Sequence, residues 1–309
     1  MKIVTLTMNP AFDVHCSAES FSAGRENIAS VSSRTAGGKG VNISKALLSA
    51  GVDNTALIVT GAENADEFLA DVRRCGVRVS EIRTEGRIRE NITLHVPGEK
   101  ETRLSFKGFP CTDRNAETVQ KSLMSLLAEG DILTVTGRVP DGVSVSAVKR
   151  MILALREKGI KTVIDSRSFS LADILECRPF LIKPNEEELP LYIDETKDSL
   201  INGLCGLYEK GVENVMVSLG EKGGILVCRK GAFEAVPPKI CVQSTVGAGD
   251  SMIAGFLAAY TAGEEPERCL VKGVAFGTAA CITEGTAAPD AEEAKKIEKE
   301  TKLEIKRCF

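Results

Sequence analysis

Two histidines in 309 residues, His15 and His95, are too few for a histidine-based metal site. His15 falls close to Asp13, but a polar residue on a short strand accounts for it equally well. Ten cysteines are scattered without a CxxC or any partnered spacing, which excludes a disulfide framework and leaves reduced thiols. No apolar stretch reaches spanning length, and the opening run of MKIVTLTMNPAFD meets Asn9-Pro10 too soon for a signal peptide. A soluble, cytoplasmic protein is therefore expected. Positive charge is not in excess either: 39 basic against 43 acidic residues give a net charge of −4. Nucleic acid and anionic membranes are thus excluded as partners held by a long-range field, and any anionic ligand has to be gripped by local groups.

What is present is 43% hydrophobic residues, enough for a substantial core, arranged as short β-rich runs alternating with helical patterns. Runs at Ile3–Thr7, 56–59, Ile132–Thr136, 162–165, 180–182, 214–218 and Gly224–Cys228 have the length of buried strands. Between them, Ile43, Ala46, Leu47 and Ala50 fall at i, i+3, i+4 and i+7; so do Val148, Met151, Ile152 and Leu155, and Ile253, Phe256, Leu257 and Tyr260. The pattern predicts an α/β fold, a mostly parallel sheet covered by helices. Two stretches interrupt it. Residues 12–34 keep no helical period, and 86–107 reads as strands 91–96 and 102–106 joined by Pro97-Gly98. Together they predict a small β lid beside the main sheet. Nothing resembling a linker divides the chain, so one domain over 1–309 is expected.

The chemistry concentrates in Gln243-Ser-Thr-Val-Gly-Ala-Gly-Asp-Ser-Met-Ile-Ala-Gly-Phe256. Gly247 and Gly249 free the backbone for a tight turn immediately before an amphipathic helix. Bare N–H groups there, with the helix dipole, suit the charge on a transferring phosphoryl group. Asp250, in the first turn, is placed to take the proton of an attacking hydroxyl. An aspartate at a helix start is also an ordinary stabilising feature, and spacing alone does not choose. Other phosphate loops fail: a GxGxxG begun at Gly247 meets Met252, and a Walker A loop ending at Gly38-Lys39 has Ser33 and Gly40 where Gly and Ser or Thr are needed.

Seven segments in order, TLTMNPAFD, TAGGKGVNISKAL, GRIREN, SFKGF, KPNEEEL, VSLGEKGG and STVGAGDSM, cover nearly the whole chain. On them the chain resembles the ribokinase-like sugar kinases of phosphofructokinase B type, within them the fructose-1-phosphate kinase branch. The resemblance implies a three-layer fold with a β lid, and transfer of the γ-phosphoryl group of ATP to a hexose phosphate with Mg2+. Fructose 1-phosphate is the expected acceptor, with tagatose 6-phosphate or fructose 6-phosphate as alternatives; a sensor without turnover is the rival of another class, for which Asp250 has little use.

Residue by residue, the resemblance implies that Asp13 grips sugar hydroxyls, that Gly37, Gly38 and Lys39 bring donors to the substrate, and that Asn42 adds an amide. Arg89 and Lys39 are expected on the sugar's phosphate, with Arg25 and Asn27 as further lid contacts. Lys183, Asn185, Ser218, Gly220 and Thr245 are expected at the nucleotide, and Gly277 beside the adenine. Gly247, Ala248 and Gly249 would form the transfer turn, and Glu188 would reach magnesium through water, Glu186 and Glu187 being solvated. Arg138 replaces the branch's usual serine and is expected to bind the sugar's phosphate or to block it. Asp165-Ser166-Arg167 carries an arginine where a small residue is more usual. A homodimer through the lid is expected, because lid strands have free edges.

Overall fold

The computed structural model describes residues 1–189, 200–283, 285 and 287–308. Its main sheet has ten strands. From one edge to the other these are β14 (Lys302–Cys308), β13 (Gly231–Val236), β12 (Gly224–Cys228), β11 (Val215–Ser218), β10 (Leu181–Ile182), β9 (Lys161–Asp165), β8 (Ile132–Thr136), β1 (Ile3–Thr7), β4 (Thr55–Gly61) and β5 (Arg78–Thr84). Neighbours from β5 to β11 are parallel and the last three strands are antiparallel. The mostly parallel α/β sheet is as the sequence predicts.

Helices cover both faces. On one side α1 (Lys39–Ser49), α7 (Ala248–Thr261) and α8 (Pro266–Cys281) bury Ile43, Leu47, Ile253, Leu257 and Leu270 against Ile3, Ile132 and Met216 of the sheet. On the other, α2 (Ala65–Arg74), α3 (Asp113–Leu126), α4 (Val145–Glu157), α5 (Leu171–Cys177) and α6 (Leu200–Glu209) close a larger core. A last helix, α9 (Ala291–Glu300), lays Ala294 and Ile297 on α8. The α7–α8 contact depends on glycine: a Cβ on Gly255 would come within 2.5 Å of the Lys272 carbonyl.

The lid is a four-stranded sheet in the order β3 (Ser30–Gly37), β2 (Ala11–Ser17), β6 (Arg89–His95), β7 (Thr102–Ser105). Its extent corrects the sequence reading, since β2 begins at Ala11 and β3 runs on to Gly37, directly into α1. Stretch 12–34 thus supplies two real strands, and β2 pairs with β6 in parallel. The Arg34 guanidinium lies 3.6 Å over the Phe12 ring and pairs with Glu67 of α2 and Glu90 of β6, tying the lid to the body.

Candidate active site

A cleft of about 1330 Å³ opens between the lid and the carboxyl ends of the parallel strands, where open α/β sheets bind ligands. Asp250 stands at its floor, 5% exposed, in the first turn of α7. Gly247 caps that helix at φ 80, a left-handed turn that favours glycine. The Ala248 N–H turns back weakly to the Thr245 carbonyl at 3.4 Å. The N–H groups of Gly249 and Asp250 take no protein acceptor among the described residues, as the first turn of a helix leaves them. A Cβ on Gly249 would stand 3.0 Å from Lys183 Nζ, so only glycine lets that ammonium sit against the turn.

Two carboxylates with opposite titration flank the cations. Burial pushes Asp250 up to about 6; Lys39, Lys183 and a hydrogen bond donated by Asn42 Nδ2 at 3.0 Å pull against it, while Asp165 adds to it. Asp165, at the end of β9, is as buried, yet Lys183 and Lys39 outweigh the cost of burial and hold its carboxyl below the usual range. Lys39 Nζ donates to Asp165 Oδ2 at 2.9 Å and Lys183 Nζ lies 3.8 Å from the same oxygen. One carboxylate therefore stays charged to position two ammonium groups, while the other is poised to exchange a proton. Asp165 has no role in the sequence reading, and its place at the end of a central parallel strand is the signal for one.

Asp13 sits on the lid side. Burial raises its pKa, and it accepts from Asn91 Nδ2 at 3.2 Å across the β2–β6 register. Gly37 backs it closely enough that a Cβ there would fall 2.2 Å from Asp13 Oδ2; Gly38, at φ 109, turns the chain into α1. The amide oxygens Oδ1 of Asn42 and Asn91 are buried without a partner among the described residues, two acceptors facing a cleft. Arg89 donates through Nη1 to the Phe106 carbonyl at 2.6 Å, while its Nε is buried and unpaired among the described residues, and burial lowers its pKa. Arg103 of β7, unmarked in the sequence, lines the same wall. Arg138 is on the rim, 74% exposed, 3.4 Å from Asp141.

Of the residues expected at the nucleotide, Lys183, Asn185, Ser218, Gly220, Thr245 and Gly277 all line the cleft. Gly277 needs a different reason from the one expected: its missing Cβ would meet the Ala248 carbonyl at 3.1 Å and Met252 at 3.3 Å, so it serves helix packing. Arg167 explains its own oddity, since its Nε donates to Glu188 Oε1 at 2.6 Å and its Nη2 to Glu187 Oε2 at 3.1 Å. Glu187 is therefore exposed but ion-paired, and Glu186 lies 3.5 Å from Lys222. Arg25 and Asn27 are corrected: neither lines the cleft, and the Asn27 amide closes its own loop onto Ser22 and Arg25.

This arrangement, bare helix amides beside a buried acid and two lysines, can stabilise a moving phosphoryl group and accept a hydroxyl proton. The profile of the pfkB family carbohydrate kinases matches residues 7–294. The chain belongs to the pfkB family of carbohydrate kinases. A 1-phosphofructokinase from Vibrio cholerae is similar to it, 30% identical over 305 residues, 98% of this chain and 96% of that one. Another, from Borreliella burgdorferi, is 34% identical over 285 residues, 91% and 92% of the two chains. Among solved structures, the phosphofructokinase-2 of Escherichia coli in complex with potassium matches with a TM-score of 0.89 at 25% identity, over 96% of this chain and 98% of that one. In this pfkB kinase the Gly247–Asp250 turn lies in one cleft between the lid and the ends of the parallel strands.

Proposed function

We propose that the protein phosphorylates fructose 1-phosphate with ATP, giving fructose 1,6-bisphosphate and ADP, with Asp250 as general base. The observation that carries this reading is the matched set of unsatisfied groups around one acid. The acceptors Asn42 Oδ1 and Asn91 Oδ1 suit hydroxyls, Arg89 Nε suits a phosphate already on the sugar, and the Gly249 and Asp250 amides suit the phosphoryl group in flight. The acceptor hydroxyl gives its proton to Asp250 as its oxygen bonds to the γ-phosphorus, and the bond to the β,γ-bridging oxygen breaks with its electron pair leaving on ADP. Asn42 holds one oxygen of Asp250, leaving the other for that proton. Lid closure excludes water as a competing acceptor.

Magnesium fits this site on the donors present. Glu188 Oε1 accepts from Arg167 and Oε2 from the Asn185 N–H at 3.2 Å, so Glu188 reaches a cation best through water, as a strongly hydrated hard cation allows. No group of three or more metal-ligating side chains occurs among the described residues, which leaves the remaining positions to phosphate oxygens and water. When bound, the cation would neutralise phosphate charge.

The deciding experiment is a coupled ADP-release assay over fructose 1-phosphate, tagatose 6-phosphate, fructose 6-phosphate and unphosphorylated hexoses. A preference for fructose 1-phosphate is expected; a clear preference for another acceptor replaces that substrate, and no release on any of them returns the reading to a sensor. Tagatose 6-phosphate and fructose 6-phosphate stay as second readings because Arg138 stands at the rim where the branch carries serine.

The pH profile tests the base. Asp250 must be ionised to act, so kcat/KM falls as pH drops through about 6, towards tenfold per unit below it. Lys39 pulls the Asp250 pKa down, so Lys39→Met moves the acid limb to higher pH. A flat profile between pH 5 and 7 counts against Asp250.

The protein pairs through its lid as a homodimer. Ile28 is 87% exposed, and Val31 of β3, Leu104 of β7 and Phe106 are exposed apolar side chains on an element with two free edges. Sedimentation at micromolar concentration is expected to show a dimer that Leu104→Glu shifts to monomer; a wild-type monomer rules the pairing out.

A further inference from the structure

A second cavity, of about 860 Å³, lies beside the lid, between β2, β3 and β6, the end of α1 and residues 243–244 and 285. That size is in the range of small-molecule sites. Two of its lining groups are chemically incomplete. The first is Lys45, 8% exposed, whose Nζ donates to the Ala36 carbonyl at 2.6 Å. That is one bond from a group with three donors, and no carboxylate lies within ion-pair distance of Lys45 among the described residues, Asp13 acting on it only from further off. Buried charges are ordinarily paired, because an ammonium out of water costs several kcal/mol unless an anion or several acceptors compensate.

The second is His15. Its Nδ1 lies 3.0 Å from His95 Nε2, the rings stacked at 5.3 Å, and His95 Nδ1 is 3.5 Å from Glu101 Oε1. In the tautomer whose His95 Nδ1–H faces Glu101, His95 Nε2 accepts, His15 Nδ1–H donates, and His15 Nε2 is left as an acceptor. That nitrogen is buried and has no partner among the described residues. The mechanism above uses neither His15 nor Lys45.

The geometry points to this cavity as a binding site for a small oxyanion that still carries an acidic or hydroxyl proton. The spare Lys45 N–H groups donate to its charged oxygens, and its O–H donates to His15 Nε2. The hydroxyls of Ser33 and Ser244 complete the wall. Binding there touches the active site from two directions. Lys45 holds the carbonyl of Ala36, next to Gly37, which backs Asp13; Ser244 accepts from the Val246 N–H at 3.2 Å and precedes Thr245 in the turn before Asp250. An occupant therefore bears on sugar grip and on the transfer turn, and by linkage the substrate bears equally on the occupant.

The test titrates inorganic phosphate by calorimetry into the full chain with the cleft filled by sugar phosphate and a non-hydrolysable ATP analogue. Alkylation of Cys75, an exposed thiol on the cavity wall, is followed in parallel by mass spectrometry. Phosphate is expected to bind despite the filled cleft and to slow Cys75 alkylation. Lys45→Met is expected to weaken that binding about tenfold or more, the scale of a lost charge-assisted hydrogen bond, while Arg89→Ala leaves it unchanged. Should Lys45→Met not fold, Ser33→Leu keeps the ammonium and fills the space, and the same loss is expected. Binding that vanishes once the cleft is filled, binding that follows Arg89 instead of Lys45, or no binding at all overturns the assignment.

Discussion

Asp250→Asn is expected to lower kcat by roughly 10²–10⁴-fold, the usual worth of a general base, with little change in nucleotide affinity. The amide has the shape of the carboxylate, and the bare N–H groups at the start of α7 belong to the backbone, so the phosphoryl site survives the change. What is lost is a proton acceptor. The variant also separates chemistry from folding. Burial raises the Asp250 pKa above its ordinary value, so the ionised carboxyl opposes folding at neutral pH, where the unfolded chain holds it charged at less cost. A neutral amide removes that opposition, and thermal unfolding at pH 7 should begin no lower than in the parent. The residual activity should also lose the acid limb near pH 6. Near-normal turnover in the folded variant would falsify the assignment of Asp250 as base.

How much of this was legible beforehand depends on the range of the interaction concerned. The turn at Gly247–Asp250 and the α7 pattern after it are local, and both are found where the residues placed them. The central strands, buried on both faces, were readable as short apolar runs. Strand β14 was not, because KLEIKRC at a sheet edge alternates lysine and glutamate with apolar residues and follows a charged helix without a turn signal. Strand β2 was hidden differently: AFDVHCS is buried along nearly all its length by lid pairing that only the fold supplies. The site divides in the same way. Asp165, Asn91 and Arg103 reach the cleft through sheet register, and Arg167 meets Glu188 across 21 residues of chain. Arg25 and Asn27, by contrast, were assigned by resemblance alone; Arg25 is exposed, and the Asn27 amide closes its own loop onto the Ser22 and Arg25 carbonyls.

Arg89→Ala should weaken binding of the sugar phosphate by roughly 1.5–3 kcal/mol, about ten- to 150-fold, the scale of a hydrogen bond to a charged group. In the free enzyme this guanidinium is half-satisfied: one nitrogen donates to Phe106, another is buried with nothing to receive it, and burial disfavours its charge. Asp13 attracts it more than Arg138 repels it, and Asp141 adds to the attraction, yet burial outweighs them. A phosphate dianion supplies both the missing acceptor and the missing countercharge, so the unfavourable terms carried by Arg89 are relieved on binding. An unphosphorylated sugar offers neither, and its affinity should scarcely change. Arg89→Lys should fall between the two, since an ammonium keeps the charge without the planar fork. Removing Arg89 also frees the Phe106 carbonyl just beyond β7, a local loosening that would act on both kinds of sugar alike. The ratio of the two losses, read from KM or direct binding, is therefore the quantity to measure, and equal losses would place Arg89 in the scaffold of the lid instead of at the phosphate.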